Sequence, residues 1–429
     1  MSYARAPRRL TGAAVGLALF ALGGPAAAQI LPGGLPGGLP ALPAAPLGSA
    51  LGPLLGQSLG QVESLPAGAE RLARMRLERL RALVRGNPQA LDFGEHGEAV
   101  VRGAALAISP TAAALARAQR AGFTVTRRSA LTGLGLELVT LQAPAGMTTR
   151  EAVRRLRRLD PAGRYDFDHL YEPSGAAAAA GEPAAPAEPA AHARIGMIDG
   201  GVASGLAVFA KARLQARGFA PGAPAPSDHG TEVAALLAGD GGGFEGVAPG
   251  AQLLAADVYG RGPTGGSAEA IVLALGWLAG MKAPVINISL TGPPNLAVAA
   301  AVRAVLARGA LIVAPVGNDG PAAPLAFPAS YPGVIAVTPV DPRGRPLPEA
   351  GRASHLDFAA QGAGLALPNA GGVSTKVRGA SFAAPIVSGE LALLLPTADP
   401  ARARAAVTLL ANRARKGGPA RYGIVNLPR

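Results

Sequence analysis

The chain has 429 residues, with 59 Gly, 40 Pro, no Cys and a formal net charge of +13. That length leaves room for two or three domains and at least one large core, and the missing cysteine excludes disulfides, thiol nucleophiles and thiolate metal sites. Residues 193–429 carry 20 basic and 13 acidic side chains, 20 − 13 = +7, so the excess is spread out, and with no Lys/Arg block interleaved with aromatics nothing points to nucleic acid as a partner.

Arg5, Arg8 and Arg9 precede an apolar stretch, Leu10 to Gly23, followed by Ala26-Ala27-Ala28. A basic head, a short apolar middle and a small-residue exit predict a signal peptide over 1–28. The stretch is too short for a comfortable membrane span, and no later one reaches spanning length without a charge or proline. The expectation is an exported protein, periplasmic or extracellular, with no stable membrane span. Residues 29–65 repeat Leu-Pro-Gly-Gly and read as a linker.

Residues 66–172 are expected to form a small α+β domain. The stretch 68–85 reads as an Arg-rich helix with Leu72, Met75, Leu80 and Leu83 on one side and its arginines solvated. After it, 98–109 reads as a strand, 111–122 as a helix, 123–128 and 134–143 as strands, 148–159 as a helix capped at Thr148 or Thr149, and 164–173 as a last strand. That β-α-β-β-α-β order is the split-βαβ, ferredoxin-like arrangement. Residues 173–192, rich in Ala and Pro, read as a second linker, prone to nicking.

From 193 to 429 short apolar strands alternate with helices. "RIGMID", "LLAADV", "VINISL", "ALIVAP" and "VIAVTP" have strand length, with helical stretches at 266–281 and 295–309. Continuous apolar strands alternating with helices predict an α/β domain, its mainly parallel sheet covered on both faces. In such sheets active residues collect at the carboxyl ends of strands.

Asp199 follows an apolar strand directly, His229 opens an apolar helix in "SDHGTEVAALLAG", and Ser381 heads the buried run "SFAAPIV". Singly these read as a turn residue, a cap or core histidine, and a helix N-cap. Together they supply what acyl transfer needs. A serine hydroxyl requires a base within reach. Histidine titrates near neutrality and can take that proton and return it to the leaving amine. An aspartate fixes the imidazole tautomer. Asn318, in "APVGNDG" after an apolar strand, is a candidate donor to the developing oxyanion, together with the backbone N–H of Ser381. The five histidines, 96, 169, 192, 229 and 355, show no paired metal-ligand spacing.

These residues resemble the subtilisin-like serine proteases, or subtilases, over essentially all of 193–429. "IGMIDGGV" is similar to the family's aspartate motif, "DHGTEVAALLAG" to its histidine motif and "GASFAAPIVSG" to its serine motif. "INISLTG" looks like the substrate-binding strand and "ARYGIVNLPR" like the usual ending. The resemblance implies peptide-bond hydrolysis through an acyl-enzyme, with Asp199, His229 and Ser381 catalytic. Ser289, Leu290, Thr291 and Gly292 would form one wall of the S1 pocket, and protein or peptide substrates are the expected partners. The small domain resembles the family's pro-domain, an intramolecular inhibitor that assists folding. Ala380, Phe382, Glu232 and Gly200 depart from the residues usual at those positions, but none removes a triad member. No cofactor is expected. The strip "GDGGGFEGVAPG" lacks the loop that carries a strong calcium site in some relatives; weaker calcium sites stay open. The competing readings are a degenerate subtilase acting as a peptide-binding or scaffold protein, and an α/β-hydrolase esterase, in which the triad order would differ.

Overall fold

The computed structural model describes residues 65–178 and 193–426. The signal peptide read at 1–28, nearly all of the 29–65 linker and most of the Ala/Pro linker (179–192) lie outside the described residues. Among the described residues no helix is long and apolar enough to cross a membrane.

The first part of the chain runs α1 (Leu65–Gly86), β1 (Leu91–Phe93), β2 (Ala99–Ile108), α2 (Ala112–Arg120), β3 (Thr124–Leu131), β4 (Leu136–Gln142), α3 (Thr149–Leu159) and β5 (Tyr165–His169). The sheet is antiparallel, in the order β1-β2-β4-β3 with β5 also paired to β2. Thr148 and Glu151 close a capping box that starts α3. The α1 helix buries Leu80 and Val84 against Leu91, Ala99 and Leu170. The expectation of solvated arginines fails at Arg76 and Arg79, which are ion-paired.

The stretch 164–173 is not one strand. It stays in the small sheet only to His169. Leu170 N–H still donates to Ala99, but Tyr171 N–H donates to the carbonyl of Gly266 in the second part of the chain. Beyond that turn come two short strands, β6 (Glu172–Pro173) and β7 (Ala176–Ala178). Pro173 and Ala176–Ala178, expected within a linker, are therefore held in β-pairings.

The larger part contains β8 (Arg194–Asp199), β9 (Arg213–Gly218), α4 (Asp228–Ala238), the pair β10 (Asp240–Gly241) and β11 (Phe244–Glu245), β12 (Gln252–Asp257), α5 (Ala268–Gly280), β13 (Val285–Ile288), β14 (Leu290–Thr291), α6 (Leu296–Leu306), β15 (Leu311–Pro315), β16 (Ile335–Val340), β17 (Phe358–Gln361), β18 (Ala363–Pro368), β19 (Ser374–Arg378), α7 (Ala380–Leu394), α8 (Pro400–Arg413) and β20 (Ile424–Val425). Eight strands form a parallel sheet in the order β20-β17-β16-β15-β13-β8-β12-β9.

Strand periodicity divides the apolar residues between two cores. Ile195, Met197, Leu253, Ala255 and Val313 face α4, α7 and α8. Ile198, Leu254, Ala256, Ile286 and Ile312 face α5 and α6. The small domain docks on this second face by the same rule. In β2, Ala105 and Ala107 join its own core, while Leu106 and Ile108 join the core of α5 and α6.

Two carboxylates of β5 cap the helices beneath. Asp166 accepts from Leu296 N–H at the start of α6 and Asp168 from Glu269 N–H at the start of α5, at 2.7 and 2.8 Å. Negative groups at helix N-termini are favourable because they meet unpaired N–H groups and the positive end of the dipole. Burial, with Glu269 as a like-charged neighbour, raises the Asp168 carboxyl well above the usual carboxylate range.

Candidate active site

Parallel strands deliver their carboxyl ends to one edge, and the candidate residues meet there. Asp199 ends β8. Ser227 caps α4 by accepting from Gly230 N–H, which sets His229 in the first helical turn. Ser381 is the second residue of α7, whose N-cap is Gly379. Ser381 therefore does not cap its helix, and its hydroxyl is left for other partners.

Those partners complete a chain of contacts. His229 Nδ1 lies 2.8 Å from Asp199 Oδ1, and His229 Nε2 lies 2.8 Å from Ser381 Oγ. An ionised carboxylate only accepts, so Nδ1 carries the proton and Nε2 accepts from the serine hydroxyl. All three residues are buried, and the Phe382 ring packs against the imidazole. Asp199 Oδ1 also accepts from Gly200 N–H at 2.6 Å. Its Oδ2 is buried and has no hydrogen-bond partner among the described residues; the next residue, Gly200, has no side chain to supply one.

Burial disfavours the charged imidazole, but the Asp199 carboxylate outweighs it, aided by Glu232, and lifts His229 above the ordinary histidine range. Glu232 is itself buried one turn further along α4. Burial pushes its carboxyl up to about 7, against the opposing effects of a hydrogen bond from Thr375 Oγ1 and of His229.

The segment 171–178 runs through this site. On one side β6 pairs antiparallel with β14, setting Glu172 opposite Thr291 and Pro173 opposite Leu290. On the other, β7 pairs antiparallel with β19. Between them, the carbonyl oxygen of Ser174 accepts from Ser381 N–H at 2.8 Å. A Cβ on Gly175 would collide with the Ser381 hydroxyl and lie 2.7 Å from the Phe382 ring. The Ser174–Gly175 peptide thus sits at the serine, and glycine permits the approach. Tyr171 is fully buried, and its hydroxyl donates to the Pro293 carbonyl at 2.9 Å.

Asn318 lies beside the same carbonyl. Its Oδ1 accepts from Ala380 N–H at 2.8 Å, which turns the amide nitrogen the other way. A Cβ on Gly379 would stand 2.8 Å from the Ser174 oxygen and 2.9 Å from Asn318 Nδ2. The φ of Gly379 is +143°, a conformation that favours glycine.

The four residues read as an S1 wall divide between the cleft segment and the core. Ser289 meets the cleft segment through its carbonyl, which accepts from Ser174 N–H at 3.4 Å. Its hydroxyl is buried and donates to the Ser381 carbonyl at 3.1 Å. Leu290 lies wholly in the core. Thr291 Oγ1 does face the segment, accepting from Ser174 Oγ at 3.0 Å. Gly292 pairs with Phe327, and Tyr171 lies where its Cβ would be.

Pro385 accounts for Ser289. It stands four residues after Ser381 inside α7 and has no N–H to donate to the Ser381 carbonyl. The Ser289 hydroxyl supplies the missing donor. Ser289→Ala should leave that buried carbonyl unpaired and destabilise the protein by about 1–3 kcal/mol. Urea unfolding would report this as a lower midpoint at unchanged slope; an unmoved midpoint would discount the contact.

A model of the subtilase family matches residues 219–424. The chain is 34% identical over 182 residues to Subtilisin Savinase of Lederbergia lenta, covering 41% of this chain and 67% of that one. It is 30% identical over 277 residues to Subtilisin E of Bacillus subtilis (strain 168), covering 59% and 71%. Fervidolysin from Fervidobacterium pennivorans, at 19% identity, shares the fold with a TM-score of 0.64 over 79% of this chain and 61% of its own. The chain belongs to the subtilase family of serine proteases.

Proposed function

We propose that this protein is an exported serine endopeptidase that first cuts itself between Ser174 and Gly175 and afterwards hydrolyses peptide bonds of other proteins or peptides. The observation that carries this reading is the Ser174 carbonyl on Ser381 N–H, with the serine hydroxyl in turn bonded to His229. Ser381 Oγ attacks that carbonyl carbon while His229 Nε2 takes the hydroxyl proton and Asp199 stabilises the imidazolium. Negative charge on the carbonyl oxygen is met by Ser381 N–H and the Asn318 amide. The bond to Gly175 nitrogen breaks as His229 returns the proton to it. Ser174 remains as an acyl-enzyme until His229 activates water to release it. The protons pass between Ser381, His229, the Gly175 nitrogen and the attacking water, so these steps call on no cofactor. Before and after self-cleavage the small domain acts as an inhibitor, because β6 fills the substrate strand's place on β14.

The test combines sequencing and labelling. Full-length protein should yield a new N-terminus at Gly175, and a fluorophosphonate probe should label Ser381 once the cut product is diluted enough to release the small domain. Ser381→Ala should remain uncut and unlabelled. A wild-type chain that is active yet stays full length, or whose serine never reacts, would overturn the reading and favour a peptide-binding scaffold.

A further inference from the structure

A guanidinium reaches the cleft from outside both the sheet and the catalytic residues. Arg79, on α1, donates from Nε and Nη2 to the two oxygens of Glu172 at 2.9 and 3.0 Å. The same Nη2 donates to Asp319 Oδ1 at 3.2 Å. One turn earlier, Arg76 Nε holds Asp319 Oδ2 at 3.1 Å. Glu172 lies two residues upstream of Ser174, and Asp319 directly follows Asn318. One side chain therefore ties the segment to be cut to the loop that carries the oxyanion donor.

The surroundings are built to hold it there. The Glu172 side chain is 10% exposed and that of Arg79 26%, so water screens the fork little. Leu72, also on α1, packs close to Gly320, where a Cβ would stand 3.1 Å from it. A cavity of about 320 Å³ lies between α1 and the cleft, lined by Arg76, Thr291, Gly292, Gly317 and Asp319 among others. A bidentate Arg–carboxylate pair fixes orientation as well as charge. The β6–β14 ladder spans only two residue pairs, and the fork adds a directional side-chain restraint to it.

We infer that Arg79 is a positioning residue for self-cleavage: by gripping Glu172 and Asp319 together it sets the register that brings the Ser174 carbonyl, and no neighbouring one, to Ser381. This rests on the reading that the Ser174–Gly175 bond is the one cut. It assigns to α1, which lies ahead of the ferredoxin-like sheet, an active part in processing.

The test uses the full chain as wild type, Arg79→Ala, Arg79→Lys and Glu172→Gln. Two readouts are followed, the rate of appearance of the cut fragment and the termini produced, by mass spectrometry. Arg79→Ala and Glu172→Gln should slow the cut by roughly 10–100-fold, the scale of a misplaced reacting group, and should spread the termini over neighbouring bonds. Arg79→Lys should fall between, because an ammonium keeps the charge and loses the fork. If Arg79→Ala fails to fold, Glu172→Gln leaves α1 intact and decides by the same readouts. Wild-type rate and a single terminus in Glu172→Gln would overturn the inference. A wild type that is not cut at Ser174–Gly175 would instead overturn the functional reading beneath it.

Discussion

His229→Ala, cut in trans by wild-type enzyme and freed of its small domain, should lower kcat on a peptide substrate by roughly 10⁴–10⁶-fold, the scale of removing a triad base from a site whose members act as a unit. The loss should come with the disappearance of a pH limb. The imidazole accepts the serine proton only when neutral. Burial opposes its charging, but Asp199 at 2.8 Å outweighs this and, with Glu232, raises its pKa. A raised pKa keeps the ring protonated, and so inactive as a base, to higher pH. Activity of the processed enzyme should therefore climb through neutrality, with its midpoint above about 6.5, the ordinary histidine value. Rate measurements from pH 5 to 9 check this, and a flat profile would assign the base elsewhere.

Asn318→Ala should lower kcat by roughly 10²–10³-fold, about 3–4 kcal/mol, with KM nearly unchanged. A carbonyl oxygen is only weakly charged before attack, so a donor aimed at it contributes most in the transition state. Alanine also removes the acceptor of Ala380 N–H, which would loosen the start of α7. Asn318→Asp separates the two effects, because it keeps an acceptor for Ala380 and loses the donor. Both variants should lose kcat if the amide nitrogen is the active group. If Asn318→Asp keeps kcat, or if KM rises while kcat holds, Asn318 is a ground-state contact and not an oxyanion donor.

The Asp199–His229–Ser381 cluster was legible because each member sits at a local landmark: the end of an apolar strand for Asp199, the first turn of an apolar helix for His229, and a Gly-flanked helix start for Ser381. The five apolar strands were legible for the same reason, since burial on both faces writes an unbroken apolar run. β9 was not, because "RLQARG" is an exposed edge strand whose side chains carry no buried pattern. The break after His169 was not legible either. It depends on Gly266 and on β14, far along the chain, which draw Tyr171 and β6 out of the small sheet. The bond from the Ser289 hydroxyl to the Ser381 carbonyl was not legible, because the two residues lie 92 positions apart. Arg79 looked like any solvated helix arginine; only the fold brings Glu172 and Asp319 to it.

The segment on β14 is part of the same chain, and under the inhibition proposed above this governs how dilution acts on the enzyme. While the Ser174–Gly175 bond is intact, an external substrate competes with a tethered occupant whose effective concentration is about millimolar, and dilution leaves that competition unchanged. On the proposed reading the cut product keeps Tyr171 buried and β6 paired, as one half of a bimolecular complex. From then on its occupancy falls as the enzyme is diluted. Concentrated product should remain silent while a dilute sample of the same preparation becomes active.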